Sequence, residues 1–553
     1  MASKDYRSTS EVFQAFLKML RLDKSDISAI YLFAVLAGLV QLSLPLGIQT
    51  IVGFVMAGSI STSIVILIIM VVGGTFLNGM LQVRQLQLIE KLKQKIFVRY
   101  ALAFSSRFPK LNIERLDNYH LPEMVNRFFE IPTLQKGIEK ILLDIPSAII
   151  QIFFGIILLS FYHVFFIAFG ALLIIIIILI FRLTSQKGFA ASMESSDYKY
   201  QVAAWLQDMA RMIKSFKYAP KSNIHINKTD KLLVGYLSAR TTYFRILITQ
   251  AWSLVGFKVL ITTIMLLVGA TLLVNQQINI GQFIAADIVI IAIISSVEKL
   301  IGNLDVIYET FTAIEKMNLV IEAKEETDGT LELNDTPQGV SIIFEKINFT
   351  YPDGTRSLSD INIRIAAGQK VLIQGASGSG KSSLLRMLTG AFQGYQGSLL
   401  LDGLPLGNYK LSSIRSLTGV LLNQKEIFRG SLFENITMGD KAISADDIIS
   451  LSEITGLAEF IKTSKEGLDL QLDPLGKRLS QRVLLQILIL RAIFGGKRLL
   501  LLEEPFQLLN KEESKKLMIF FKNNNITVLI FSEKEEHLGD YDQVIRLEKG
   551  KQV

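Results

Sequence analysis

Before residue 325 the chain carries six apolar segments, at about 28–56, 62–83, 141–162, 164–183, 249–274 and 280–301. Each is near the ~20 residues that a helix needs to cross a bilayer. The connections between them alternate. After the first, third and fifth segments they are brief (57–61, 162–163 and 275–279) and hold no Lys or Arg. After the second and fourth they are long, basic and helical in pattern, as in 84–110 and 194–245. The positive-inside rule puts those long stretches, and both termini, in the cytoplasm. Residues 10–22, with Phe13, Phe16, Leu17 and Leu20 on one side, read as an amphipathic helix lying at the membrane interface. That stretch lacks the small-residue cleavage site of a signal peptide and is expected to be retained.

A chain of 553 residues is too long for one core, and its apolar residues are unevenly spread, so a membrane domain fused to a water-exposed one is expected. The 58 basic against 50 acidic residues give a net charge of +8. In a soluble protein that excess would suggest nucleic acid, but here it belongs to the cytoplasmic stretches between spans, and no nucleic-acid partner is expected. With no cysteine, disulfides, thiolate catalysis and Cys-based metal sites are excluded.

Downstream of the spans lies a complete G-x-x-x-x-G-K-[ST] phosphate loop: Gly375, Ala376, Ser377, Gly378, Ser379, Gly380, Lys381 and Ser382, followed by Ser383. A strand over 370–374 leads into it and a helix over 382–388 leads out, the context the motif requires. The glycines let backbone N–H groups point at a β-phosphate. Lys381 reaches the β/γ oxygens, and the Ser382 hydroxyl is suited to ligate Mg²⁺. The chain is expected to bind a nucleoside triphosphate.

Six spans with two long cytoplasmic helical excursions, followed by a phosphate-loop domain, resemble the exporter-type ATP-binding cassette (ABC) half-transporters over nearly the whole chain. In pattern the chain is most similar to the type I secretion and peptide-export branch, notably at 278–284, which opens the sixth span. In that family short coupling helices at the ends of the excursions touch the nucleotide domains, and the stretches 121–129 and 218–230 are similar to them. The resemblance implies further site residues. Tyr351, in Phe-Thr-Tyr-Pro, matches the aromatic residue that stacks on adenine, although a tyrosine there also suits the core. Gln424 matches the glutamine that contacts Mg²⁺ and the coupling helices. Leu499–Leu502 followed by Glu503 and Glu504 match the strand that delivers two carboxylates to its end. Glu503 stands where the family usually has a metal-side aspartate, and Glu504 where it has the general base.

Other family motifs are altered. Residues 479–483, Leu-Ser-Gln-Arg-Val, align without a gap to the LSGGQ signature, which docks on the γ-phosphate held by the opposite subunit. Both glycines are missing there, while Ser480 remains and Arg482 offers a new cation. The loop expected as Ser-Ala-Leu-Asp is Gln507-Leu-Leu-Asn510, and the switch histidine is Glu533, a carboxylate that would repel a γ-phosphate. His537 lies too far along to replace it.

Within the spans, Asp144, Lys258 and Asp287 are ionisable, hence candidates for function. Asp144 lies near the cytoplasmic edge. Lys258 and Asp287 either face a cavity, pair with each other, or snorkel to the surface. Pro45 and Pro146 are expected to bend helices.

The resulting expectation is an interfacial helix (1–25), a six-span α-helical membrane domain (26–321), a linker (322–339) and an α/β phosphate-loop nucleotide domain (340–553). The resemblance implies a subunit of the cytoplasmic (inner) membrane that uses ATP and Mg²⁺ to export a peptide, protein or other amphipathic substrate. It would work beside a second half-transporter, in a homodimer or heterodimer, in contact with the lipid bilayer and with room for a periplasmic adaptor. The altered motifs point to slow or partner-dependent hydrolysis. A hydrolysis-poor half of a heterodimer and a scaffold or regulator that binds ATP are the alternatives.

Overall fold

The computed structural model describes residues 7–58, 62–112, 114, 121–423, 426–534 and 538–553. The chain forms two compact units, one of residues 1–110 and 119–323 and the other of 111–118 and 324–553.

The first unit is helical and contains six stretches long and apolar enough to cross a membrane, from Thr9–Met56 to Ile280–Ile321. Helices are forced here because hydrocarbon offers backbone N–H and C=O groups no partner outside the segment. Several helices outrun the bilayer. Phe165–Arg211 has 47 residues and Ile224–Val274 has 51, or ~70 Å at 1.5 Å per residue against a core of ~30 Å. The spans expected at 62–83, 164–183 and 249–274 therefore each run on into a basic excursion as one continuous helix, Thr62–Arg107, Phe165–Arg211 and Ile224–Val274.

Two prolines explain where helices deviate. Pro45 has no N–H for the Gln41 carbonyl and its ring crowds that carbonyl; the helix Lys24–Gln41 ends there, and Ser43–Met56 begins after Leu42. Pro146 likewise leaves Leu142 without an i+4 donor, and Lys140–Asp144 widens into a π-helical turn before the helix Ile145–Tyr162.

The N-terminal helix Thr9–Leu20 starts at a Ser8–Glu11 capping box. The face expected from sequence is divided. Val12, Phe16 and Leu20 are buried, and the Phe13 and Phe16 rings both lie 6.3 Å from Phe311, in the helix Leu304–Ile321. Phe13 and Leu17 remain exposed.

Of the ionisable residues in the spans, Asp144 accepts from Lys140 at 2.8 Å and from Asn303 at 3.4 Å. Lys258 does not pair with Asp287. Its ammonium lies 2.7 Å from Glu298, which stands nearer the basic end of its helix. In the 121–129 stretch a helix Leu121–Asn126 leads into a short turn Arg127–Glu130. The buried Glu130 accepts there from Lys199 and, at 2.7 Å, from Tyr200.

The second unit is α/β. Its strands are β1 (Ile342–Thr350), β2 (Arg356–Ile365), β3 (Lys370–Gln374), β4 (Gln396–Leu401), β5 (Leu404–Pro405), β6 (Thr418–Leu421), β7 (Gly430–Ser431), β8 (Gln471–Leu472), β9 (Leu499–Glu503), β10 (Thr527–Ser532), β11 (Gln543–Glu548) and β12 (Lys551–Gln552). An antiparallel sheet runs β2-β1-β4-β5 and a larger sheet β12-β11-β3-β10-β9-β6. In the larger sheet β3, β6, β9, β10 and β11 are parallel. Burial of Leu499–Leu502 and Val528–Phe531 accounts for their unbroken apolar sequences, since a parallel sheet is covered on both faces.

The segment 324–339, the greater part of the stretch 322–339 expected as a linker, is bound along this unit. Arg415 grips Glu326 through both terminal nitrogens, at 2.7 and 2.8 Å. The Leu411 amide donates to Asp328 at 2.6 Å, and Leu333 is buried in the core. Arg498 is 5% exposed and donates to the carbonyls of Asn334, Gln338 and Gly339 and to the Asp402 carboxylate. Its planar fork satisfies four acceptors that a lysine cannot reach together. Replacing Arg498 with Ala removes a buried guanidinium and the donors of four part-buried or buried acceptors, and a loss of about 3 kcal/mol is expected. It should appear as a lower unfolding midpoint and faster proteolysis within 324–339. Arg498→Lys should not restore either.

Candidate functional site at the phosphate loop

The site lies at the carboxyl ends of the parallel strands, where open α/β sheets bind ligands. Strand register sets its depth. Gln374 pairs with Ser532, and Phe531 with Glu503, so β3, β10 and β9 end at one level. Immediately after them come Gly375, Glu533 and Glu504.

The loop is tied down at its start by the Gly375 amide, which donates to the Ser532 carbonyl at 3.2 Å. At its end Gly380 has φ +102°, and a Cβ there would meet Leu358 at 2.5 Å. Only glycine suits that position, for torsion and for space. The helix Lys381–Leu388 follows. The Lys381 ammonium turns back across the loop to the carbonyls of Gly375 and Ala376. The Ser379 hydroxyl is buried without a hydrogen-bond partner among the described residues.

Two carboxylates face the loop. Glu503 accepts from the Ser382 hydroxyl at 2.6 Å and, through its other oxygen, from the Asn423 amide at 2.9 Å. Glu504 has φ +49°, a left-handed conformation rare for a non-glycine residue. Its amide donates to the Phe531 carbonyl, and its carboxylate accepts from the Ser532 hydroxyl at 2.8 Å and the Glu533 amide at 2.7 Å. The strained turn is thus held by the end of β10.

These groups line a cavity of about 390 Å³ together with Tyr351, Ser377, Gly378 and Ser383. The exposed side chain of Glu533 lines the same cavity. Tyr351 is half-buried. Its ring packs edge-on to Phe349 and Phe392, and its hydroxyl lies 3.0 Å from Ser383. It is thus both a core side chain and part of the cavity wall. Gln424 falls outside the described residues, as does His537.

Ser480 is not in this cavity. It caps the helix Gln481–Ile493, its hydroxyl accepting from the Val483 amide at 3.2 Å. Arg482, read from the sequence as a new cation, is bound within the unit. Its guanidinium donates to Glu513, a buried carboxylate that also accepts from Gln486 and from the Asn510 amide. A buried carboxylate needs such partners.

Sequence reasoning did not single out Thr355, Arg356 and Ser357, which line the cavity from the start of β2, or Asn423. It also gave Ser532 no role. The signal available for Ser532 was its place at the end of an apolar strand, beside the residue expected as the switch.

Residues 358–507 match the family model described as ABC transporter. The chain is 28% identical over 276 residues to the cyclolysin secretion/processing ATP-binding protein CyaB of Bordetella pertussis, covering 50% of this chain and 39% of that protein. It is 25% identical over 357 residues to the alpha-hemolysin translocation ATP-binding protein HlyB of Escherichia coli, covering 63% and 50%. The chain thus spans half or less of the length of these curated relatives. A solved bacterial Atm1-family ABC exporter with ATP bound shares the fold with a TM-score of 0.84 at 17% identity, over 97% of this chain and 94% of the other. Residues 358–507 are thus an ABC transporter domain, six apolar stretches long enough to cross a membrane lie ahead of it, and the chain as a whole has the fold of that solved ABC exporter.

Proposed function

We propose that this chain binds ATP with Mg²⁺ at the phosphate loop and, as one half of a dimer, couples its binding and hydrolysis to export of a peptide, protein or other amphipathic substrate across the cytoplasmic membrane. The observation that carries the proposal is the Ser382–Glu503 hydrogen bond beside the Glu504 carboxylate. A hydroxyl and a carboxylate side by side are the oxygen donors that Mg²⁺ takes together with phosphate oxygens. The donor set therefore fits the metal, and the loop, the Lys381 cation and the buried Ser379 hydroxyl fit a polyphosphate. Secretion and translocation proteins among the relatives support the cargo class.

ATP would supply the phosphoryl group that is transferred. The chain's residues supply position and charge. Lys381 leaves the carbonyls of Gly375 and Ala376 to meet phosphate oxygens, and Tyr351 offers a ring face to the base. Ser382 and Glu503 hold the metal, with Gln424 as a further ligand. Glu504 takes the proton of the attacking water, its oxygens oriented by the Ser532 hydroxyl and the Glu533 amide. Ser480, at a helix N-terminus, is the group offered to the partner half's nucleotide. In turnover assays in lipid nanodiscs, Glu504→Gln is expected to cut hydrolysis by ~100-fold or more with nucleotide binding kept, and Lys381→Ala to lose binding. Turnover unchanged by Glu504→Gln would remove Glu504 from this role.

Glu533 favours a second reading, a half that binds ATP and hydrolyses it poorly. Its carboxylate joins Glu503 and Glu504 around one cavity and would oppose a γ-phosphate. Glu533→His exchanges a repelling group for a donor, and turnover should rise by about tenfold, on the order of one charge-assisted hydrogen bond. If Glu533→His leaves turnover unchanged, the carboxylate is not what limits the rate.

A further inference from the structure

We propose that a groove beside the N-terminal helix holds an acyl chain of an anionic phospholipid whose phosphate is engaged by Arg21. The inference rests on the membrane placement of the first unit and not on the ATP reading. The groove has a volume of about 450 Å³, within the ~300–1,000 Å³ typical of small-molecule sites. Its walls are almost wholly apolar and include Phe13, Leu17, Tyr31, Ile149 and Phe311. The π-helical turn Lys140–Asp144 contributes Ile141 and Leu142 to the wall, and such local widenings recur at functional positions.

Depth identifies the occupant. Tyr31 lies two turns into Lys24–Gln41 and Ile149 one turn into Ile145–Tyr162, so the groove sits where two spans enter the membrane on the basic side. The open wall is apolar, with Phe13, Leu17 and Ile149 at 45%, 42% and 54% exposure. At that depth a lipid tail is the apolar group present in the greatest amount.

Charge identifies the headgroup. Phe13, Leu17 and Arg21 follow one another at four-residue spacing, and Arg21 keeps helical torsions, so the guanidinium continues the stripe that lines the groove. Arg21 is exposed and makes no ion pair among the described residues, and Lys18 and Lys24 on either side also make none. Neighbouring cations are already engaged: Lys140 by Asp144, Arg99 by Asp23, and Lys95 by Asp26. The three unpaired cations form a patch that attracts an anionic headgroup.

The test is native mass spectrometry of the delipidated full chain titrated with phosphatidylglycerol or phosphatidylcholine. Phosphatidylglycerol is expected to bind at least about fivefold more tightly, the value of one cation at an anionic surface. Arg21→Ala should abolish that preference. Ile149→Trp, which fills the groove, should weaken both lipids, and Phe13→Trp provides a second filling variant should the first misfold. Ile157→Trp, further along the same helix, should change neither. Equal affinity of the wild-type chain for the two lipids overturns the proposal. So does a preference that survives Arg21→Ala, or filling variants that bind like Ile157→Trp.

Discussion

The carboxylate of Glu503 joins the parts of the nucleotide unit that have to act together. One oxygen takes the Ser382 hydroxyl from the helix after the phosphate loop, and the other takes the Asn423 amide from the segment after β6. Each is a hydrogen bond to a charged group, stronger than a neutral one. Glutamate is one methylene longer than the aspartate usual in the family. It is long enough here to contact the loop serine and the Asn423 amide at the same time. Strand register then carries the constraint outward, because β9 fixes β10, and β10 supplies both the carbonyl that holds Gly375 and the hydroxyl that holds Glu504.

In the membrane unit the governing constraint is backbone satisfaction. Helices run on past the apolar region because ending one there would strand four carbonyls or four amides. Inside the spans the breaks occur where proline has already removed a donor, at Pro45 and Pro146, while helices otherwise end at Met56, Tyr162 and Val274, beside the short connections that sequence hydropathy marks. Charges near those boundaries pair locally. Lys258 finds Glu298 one helix away, which spares Asp287, deeper in the span, from carrying that role.

This difference shows what sequence reveals. The six spans, β3 and the loop are legible because local chemistry determines them, apolar length in one case and glycine torsion in the other, whereas the Glu503–Glu504 pair is legible only through the resemblance to a known family. Residues 324–339 read as a linker because they are acidic and polar, yet those acids are the groups that Arg415 and the Leu411 amide hold. Partners distant in sequence leave no local pattern. The same holds for Ser532, whose importance comes from register, and for the N-terminal helix, where spacing reveals an apolar face but not that Val12, Phe16 and Leu20 turn inward while Phe13 and Leu17 stay out.

Arg482 shows how a residue that breaks a motif can still be structurally committed. Glu513 is buried and receives three donors, from Arg482, Gln486 and the Asn510 backbone. Without Arg482 that carboxylate would have amide donors and no countercharge, a costly state for a buried ion. Arg482 therefore ties the start of Gln481–Ile493 to the start of Lys511–Asn523, and through Asn510 to the segment that leaves Glu504. Its charge is spent within the unit. On the function proposed above, what this position would offer an approaching phosphate is the Ser480 hydroxyl and the helix N-terminus behind it.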